Sequence, residues 1–127
     1  MLDRPIKLLI VDDEKNIRRL YEKAFTQSGY EVLLAENGAA AVEKVQNEGP
    51  DLVILDIRMP GMDGIETLGK ILGKKRDIPV ILNTAYTSYQ NNFMSWAADA
   101  YVVKSSDIDV LKSKVEEVLM KKGFAST

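Results

Sequence analysis

The stretch "DLVILDIRMPGMDGIE" (51–66) decides how this chain is read. Leu52 to Leu55 form an unbroken apolar run that ends in Asp56, and Pro60-Gly61 turns the chain soon afterwards. Such a run, bounded by turn signals, predicts a strand buried on both faces, the pattern of a parallel sheet. A charge at the end of a buried strand either shapes the next loop or does chemistry. Its neighbours in the fold decide which.

Working outward, strand-like and helix-like patterns alternate five times. "IKLLIV" (6–11) is of strand length, and Ile17, Leu20, Tyr21, Ala24 and Phe25 then recur at helical spacing until Gly29. "YEVLLA" (30–35) is a second strand, followed by Asn37-Gly38 and the short helix "AAAVEKVQNE", which Gly49-Pro50 closes. After the third strand (52–55), Ile65, Leu68, Ile71 and Leu72 mark a helix weakened by Gly69 and Gly73. "PVILN" (79–83) is the fourth strand. "YTSYQNNFMSWAAD" (86–99) takes the place of a fourth helix, with residues that form helices poorly. "AYVV" (100–103) is the fifth strand. Ile108, Leu111, Val115, Val118 and Leu119 line one face of the last helix, with Ser106 or Asp107 as its cap. Five β-α units predict an α/β fold, a five-stranded parallel sheet with helices on both faces, in one domain over 1–127 with its core at about 6–121.

Bulk properties exclude several function classes. The 127 residues are 46% hydrophobic and 28% charged, as in an ordinary soluble globule. A net charge of -2 gives no electrostatic reason to expect nucleic acid or an anionic membrane as partner. No run approaches a membrane span, and a cytoplasmic location is expected. With no cysteine and no histidine, thiolate nucleophiles, serine triads and most zinc sites are excluded. Phosphoryl or metal chemistry here would have to use carboxylates, lysine and hydroxyls.

In doubly wound sheets function gathers at the carboxyl ends of the strands. Those ends carry Asp12, Asp13 and Glu14, then Asp56, Thr84 and Lys104. Singly, Asp12 or Asp13 reads as a helix cap, Asp56 as a loop-shaping residue and Lys104 as a solvated cation. Together they are harder to dismiss. Three carboxylates converging within a few ångströms repel by about 4 kcal/mol per pair at an effective dielectric near 20. Lys104 and a hard divalent ion such as Mg²⁺ would compensate them, leaving positions for phosphate oxygens and an aspartate as candidate nucleophile.

"LLIVDDEKNIRRL", "DLVILDIRMPGMDGIE", "VILNTAYT" and "ADAYVVK", in that order, resemble the receiver domain of bacterial two-component response regulators. The resemblance implies a flavodoxin-like, doubly wound sandwich of three layers, with strand order 2-1-3-4-5. It implies a phosphorylation-dependent signalling switch that catalyses only its own phosphotransfer and dephosphorylation. Asp56 would accept the phosphoryl group from a sensor histidine kinase or phosphotransfer protein. Asp13, Asp56 and the backbone carbonyl of Arg58 would hold Mg²⁺, with Asp12 acting through water. Lys104 and Thr84 would contact the phosphoryl oxygens, Tyr101 would be the rotating aromatic, and Arg58 and Tyr86 would modulate hydrolysis. The face of the fourth helix, fifth strand and fifth helix would bind a downstream protein, with Trp96 a candidate contact; the resemblance also admits a phosphorylation-dependent dimer.

One departure stands out. Lys104 is followed by Ser105 and Ser106 where the family usually carries proline, often cis. A cis bond to a non-proline residue costs about 3 kcal/mol, which favours a trans bond and a rearranged loop. Its consequence is an alternative reading, a receiver fold that binds its partner independently of phosphorylation. A haloacid-dehalogenase-type phosphohydrolase fits worse, because its nucleophile follows strand one in an Asp-x-Asp pair. "VDDEKN" would repel the phosphate of a flavin.

Overall fold

The structure is a computed structural model and describes residues 4–57, 64–85, 98–104 and 107–124. The elements in order are β1 (Lys7–Val11), α1 (Lys15–Gln27), β2 (Glu31–Ala35), α2 (Gly38–Glu48), β3 (Leu52–Leu55), α3 (Gly64–Lys74), β4 (Val80–Thr84), β5 (Ala100–Val103) and α4 (Ile108–Lys121). The helix expected over 86–99 falls largely outside the described residues, so α4 is the fifth helix of the sequence pattern. All four strand pairings are parallel, and the order is β2-β1-β3-β4-β5. The architecture is the doubly wound one that the alternation predicts.

Strand alternation divides the core into two layers, because successive side chains leave a strand on opposite faces. Leu9, Val11, Val53, Leu55, Val80 and Leu82 face α2 and α3, where they meet Val45, Leu68 and Ile71. Leu8, Ile10, Leu52, Ile54 and Ile81 face α1 and α4, where they meet Phe25, Leu111 and Val115. β1, β3 and β4 are buried on both sides. That is why "LLIV", "LVIL" and "VIL" show no polar alternation.

The boundaries differ from the sequence pattern in instructive ways. β4 starts at Val80, because Pro79 has no N–H to give; the Val80 N–H donates to Asp99 Oδ2 at 2.9 Å. β4 ends on Thr84, whose carbonyl accepts the Lys104 N–H at 2.8 Å, so Thr84 closes the strand and does not follow it. Leu20, expected on the core face of α1, is 54% exposed, because the buried stripe runs through Tyr21 and Phe25. Asp107, not Ser106, caps α4, accepting the Asp109 N–H at 3.0 Å. Asn37 caps α2 by accepting the Ala40 N–H at 2.8 Å.

Candidate functional site

The end of β1 is fixed by its backbone. The Asp12 N–H donates to the Ala35 carbonyl at 3.1 Å, and the Asp56 N–H to the Val11 carbonyl at 3.0 Å. These bonds carry the ladder one residue beyond the strands and set Asp12 and Asp56 side by side. Asp12 does not cap α1 in the ordinary way: the N-cap is Glu14, which makes no side-chain cap bond. Asp12 Oδ1 instead accepts the Glu14 N–H at 2.9 Å, an Asx turn that folds the chain around its own carboxylate. Arg18, one turn into α1, donates from Nη1 to the Asp12 carbonyl at 2.8 Å.

One carboxylate oxygen from each of Asp12, Asp13 and Asp56 lies within 4.8 Å of the others. Asp12 is 2% exposed and Asp56 6%, whereas Asp13 faces solvent. Lys104 reaches in from the end of β5, with Nζ 2.6 Å from Asp12 Oδ2 and 3.1 Å from Asp56 Oδ2. Burial pulls the Lys104 ammonium down. The hydrogen bond to Asp12 and the charges of Asp56 and Asp12 outweigh it, so its pKa lies above the ordinary lysine value and it stays charged at neutral pH.

Among the described residues, one ammonium stands against three carboxylates at this edge. Hard oxygen donors converging on one spot fit a hard divalent cation such as Mg²⁺.

Thr84 is fully buried at the end of β4, on the face that carries Val80 and Leu82. Tyr101 stands opposite Leu82 in the β4–β5 register and packs against the same layer, half-buried. Thr84 and Tyr101 therefore share one face of adjacent strands, which the sequence could state only by assuming the pairing. Asp12, Asp13, Asp56, Thr84 and Lys104 come together at one sheet edge. Arg58, Tyr86, Trp96, Ser105 and Ser106 lie outside the described residues.

Gly64 is a part of the site that sequence reasoning missed. A Cβ there would overlap the Ile57 Cα and the Asp56 carbonyl oxygen, and the Gly64 N–H donates to the Ile57 carbonyl at 2.6 Å. α3 thus starts in direct contact with the backbone of Asp56 and Ile57, a closeness only glycine permits. Its signal was the glycine just before the apolar helical repeat of "MDGIE".

Comparison with known proteins agrees with this geometry. The family model for the response regulator receiver domain matches residues 8–116. The sporulation initiation phosphotransferase F of Bacillus subtilis is 39% identical over 115 residues, covering 89% of this chain and 93% of that protein. The regulatory protein AtoC of Escherichia coli is 40% identical over 115 residues, 89% of this chain but only 25% of that longer protein. The response regulator protein TrrA of Thermotoga maritima, solved in complex with Mg(2+)-BeF, is 50% identical with a TM-score of 0.86, covering 89% of this chain and 98% of that one. TrrA has also been solved in complex with the histidine kinase ThkA; that copy is 50% identical, with a TM-score of 0.83 over 89% of this chain and 97% of that one.

Proposed function

This chain belongs to the response regulator receiver domain family, and we propose that it acts as a phosphorylation-dependent switch with Asp56 as its phosphoacceptor. The observation that carries the assignment is Lys104 Nζ held between Asp12 and Asp56, at 2.6 and 3.1 Å. A buried carboxylate at a strand end, with a cation already beside it, is placed to receive a phosphoryl group whose negative charge that cation can answer.

In the transfer, an Asp56 carboxylate oxygen forms a bond to phosphorus as the P–N bond of a phosphohistidine breaks, and the imidazole nitrogen keeps the electron pair. Asp12, Asp13, Asp56 and the Arg58 carbonyl would hold Mg²⁺, Asp12 through water; when bound, the ion offsets the crowded carboxylates and the charge on the phosphoryl oxygens. Lys104 transfers one of its hydrogen bonds from Asp56 to a phosphoryl oxygen. The Thr84 hydroxyl turns toward another, and Tyr101, on the same face, moves into the space it leaves. Arg58 and Tyr86 would modulate how fast water removes the group.

The switch is read at β5 and α4, together with the helix expected from the sequence over 86–99, and this output recognises a downstream protein. Phosphorylation-dependent dimerisation would use the same face. The phosphoryl donor is a histidine kinase, the class that TrrA was solved with, or a phosphotransfer protein. No direct contact with nucleic acid is needed. Residues 1–127 form one receiver unit, and that unit catalyses only its own phosphotransfer and dephosphorylation. A cytoplasmic location fits this role; no helix among the described residues is long and apolar enough to cross a membrane.

The test is intact mass after incubation with Mg²⁺ and acetyl phosphate, on wild type and Asp56→Asn. The expected result is one added phosphoryl group in the wild type only, abolished by chelating the metal. If Asp56→Asn gains the same mass, the acceptor is another residue. If beryllofluoride, which does not hydrolyse, also leaves the wild-type spectrum unchanged, the fold works independently of phosphorylation.

A further inference from the structure

The otherwise apolar strand β4 carries Asn83 just before Thr84, and Asn83 is 2% exposed. It lies on the face opposite Thr84, toward α1 and α4, and its Nδ2 donates to the Tyr21 hydroxyl at 3.0 Å. Tyr21 is 5% exposed, with its ring edge-on to Phe25 at a centroid distance of 6.5 Å. The bond therefore crosses a buried apolar layer, from the middle of α1 to the end of β4.

α1 makes a second such bond from the same face. Arg18, at i−3 from Tyr21, holds the Asp12 carbonyl at 2.8 Å. One helix face thus grips both halves of the site. Arg18 holds the acidic half at the end of β1. Tyr21 holds the hydroxyl-and-lysine half, since Asn83 precedes Thr84 and the Thr84 carbonyl accepts the Lys104 N–H at 2.8 Å. Lys104 then closes the circuit on Asp12 and Asp56.

We infer that Tyr21 and Asn83 are a positioning pair for phosphoryl acceptance: their hydrogen bond fixes how far the Thr84–Lys104 half stands from the Asp12–Asp56 half. The inference rests on Asp56 being the acceptor. Neither residue touches the reacting atoms. The competing explanation is purely structural: a buried polar pair that sets how α1 seats on the sheet and contributes only to stability. The two separate because orphaning one buried partner is costly, while replacing both by apolar groups of similar shape is nearly neutral.

The experiment uses the full chain and the variants Tyr21→Phe, Asn83→Leu and the double variant. It reads the thermal midpoint, and the initial rate of phosphoryl gain from acetyl phosphate at saturating Mg²⁺, well below every midpoint. Each single variant should melt lower and the double variant should recover most of that loss. The rate should fall by about three- to tenfold in all three and stay low in the double variant, as expected when reacting groups are held less exactly. A rate that recovers together with the melting point, or that never falls, overturns the inference. If Asn83→Leu does not fold, Tyr21→Phe decides alone, since it removes one oxygen and keeps the ring: an unchanged rate refutes the pairing. A wild type that takes no phosphoryl group overturns the acceptor assignment, and the inference with it.

Discussion

Replacing Lys104 by methionine keeps most of the buried stem and removes the ammonium that bridges Asp12 and Asp56. Carboxylate oxygens of the two residues lie within 4.8 Å of each other, where repulsion is at least about 3.5 kcal/mol at an effective dielectric near 20. Removing one partner of a buried ion pair costs about 3–5 kcal/mol. The Lys104 side chain is 16% exposed, so water can replace part of its role, and the expected loss is near the lower end, about 3 kcal/mol. Against a typical total of about 5–15 kcal/mol, that is readily measured.

The assay is urea unfolding of wild type and Lys104→Met, each with a chelator and with excess MgCl₂. In chelator the variant should unfold at markedly lower urea with an unchanged slope. Mg²⁺ should restore most of the loss, because a ligand at about a hundred times its dissociation constant stabilises by about 2.7 kcal/mol. The variant should also gain more from the metal than wild type does, since no ammonium competes for the same oxygens. A loss under about 1 kcal/mol in chelator, or an equal response to Mg²⁺ in both proteins, refutes the picture of Lys104 as the resident counter-charge.

Two glycines of α3 should respond to alanine with opposite signs. Gly64→Ala drives a methyl into the Asp56–Ile57 backbone and should cost about 2–3 kcal/mol and slow phosphoryl gain, whereas Gly73→Ala meets open space and should stabilise by about 1 kcal/mol in the same denaturation assay. The acid limb of stability should depend on Asp51. Burial raises its pKa, but the hydrogen bond from Arg4 and the Lys7 N–H outweigh this and hold it below the ordinary 3.8. A group lowered on folding contributes stability that is present above 3.8 and lost as pH falls through its folded pKa. Asp51→Asn should therefore flatten the fall in melting temperature across that acid range, and an unchanged slope would show that other carboxylates carry it.

The sequence by itself determined the architecture, because a strand buried on both faces cannot alternate polar with apolar residues. "LLIV", "LVIL" and "VIL" could only be central strands of a sheet covered on both sides, and the intervening repeats supplied the covering helices. It also named Asp12, Asp13, Asp56, Thr84 and Lys104, since strand ends can be read from where apolar runs stop. Four motifs in order named the family. What needed the tertiary structure were relations between residues far apart in the chain. Lys104 divides its ammonium between two carboxylates because β5 and β1 end at the same edge, with β3 and β4 between them. Gly64 must be glycine because α3 begins against the strand-end backbone, a distance no periodicity contains. Asn83 reads in sequence as a polar residue at the end of an apolar run; only packing α1 onto the sheet gives it Tyr21 as a partner. Periodicity reports which face a residue takes, because that is set locally by backbone geometry. Which partner waits on that face is set by how whole elements pack.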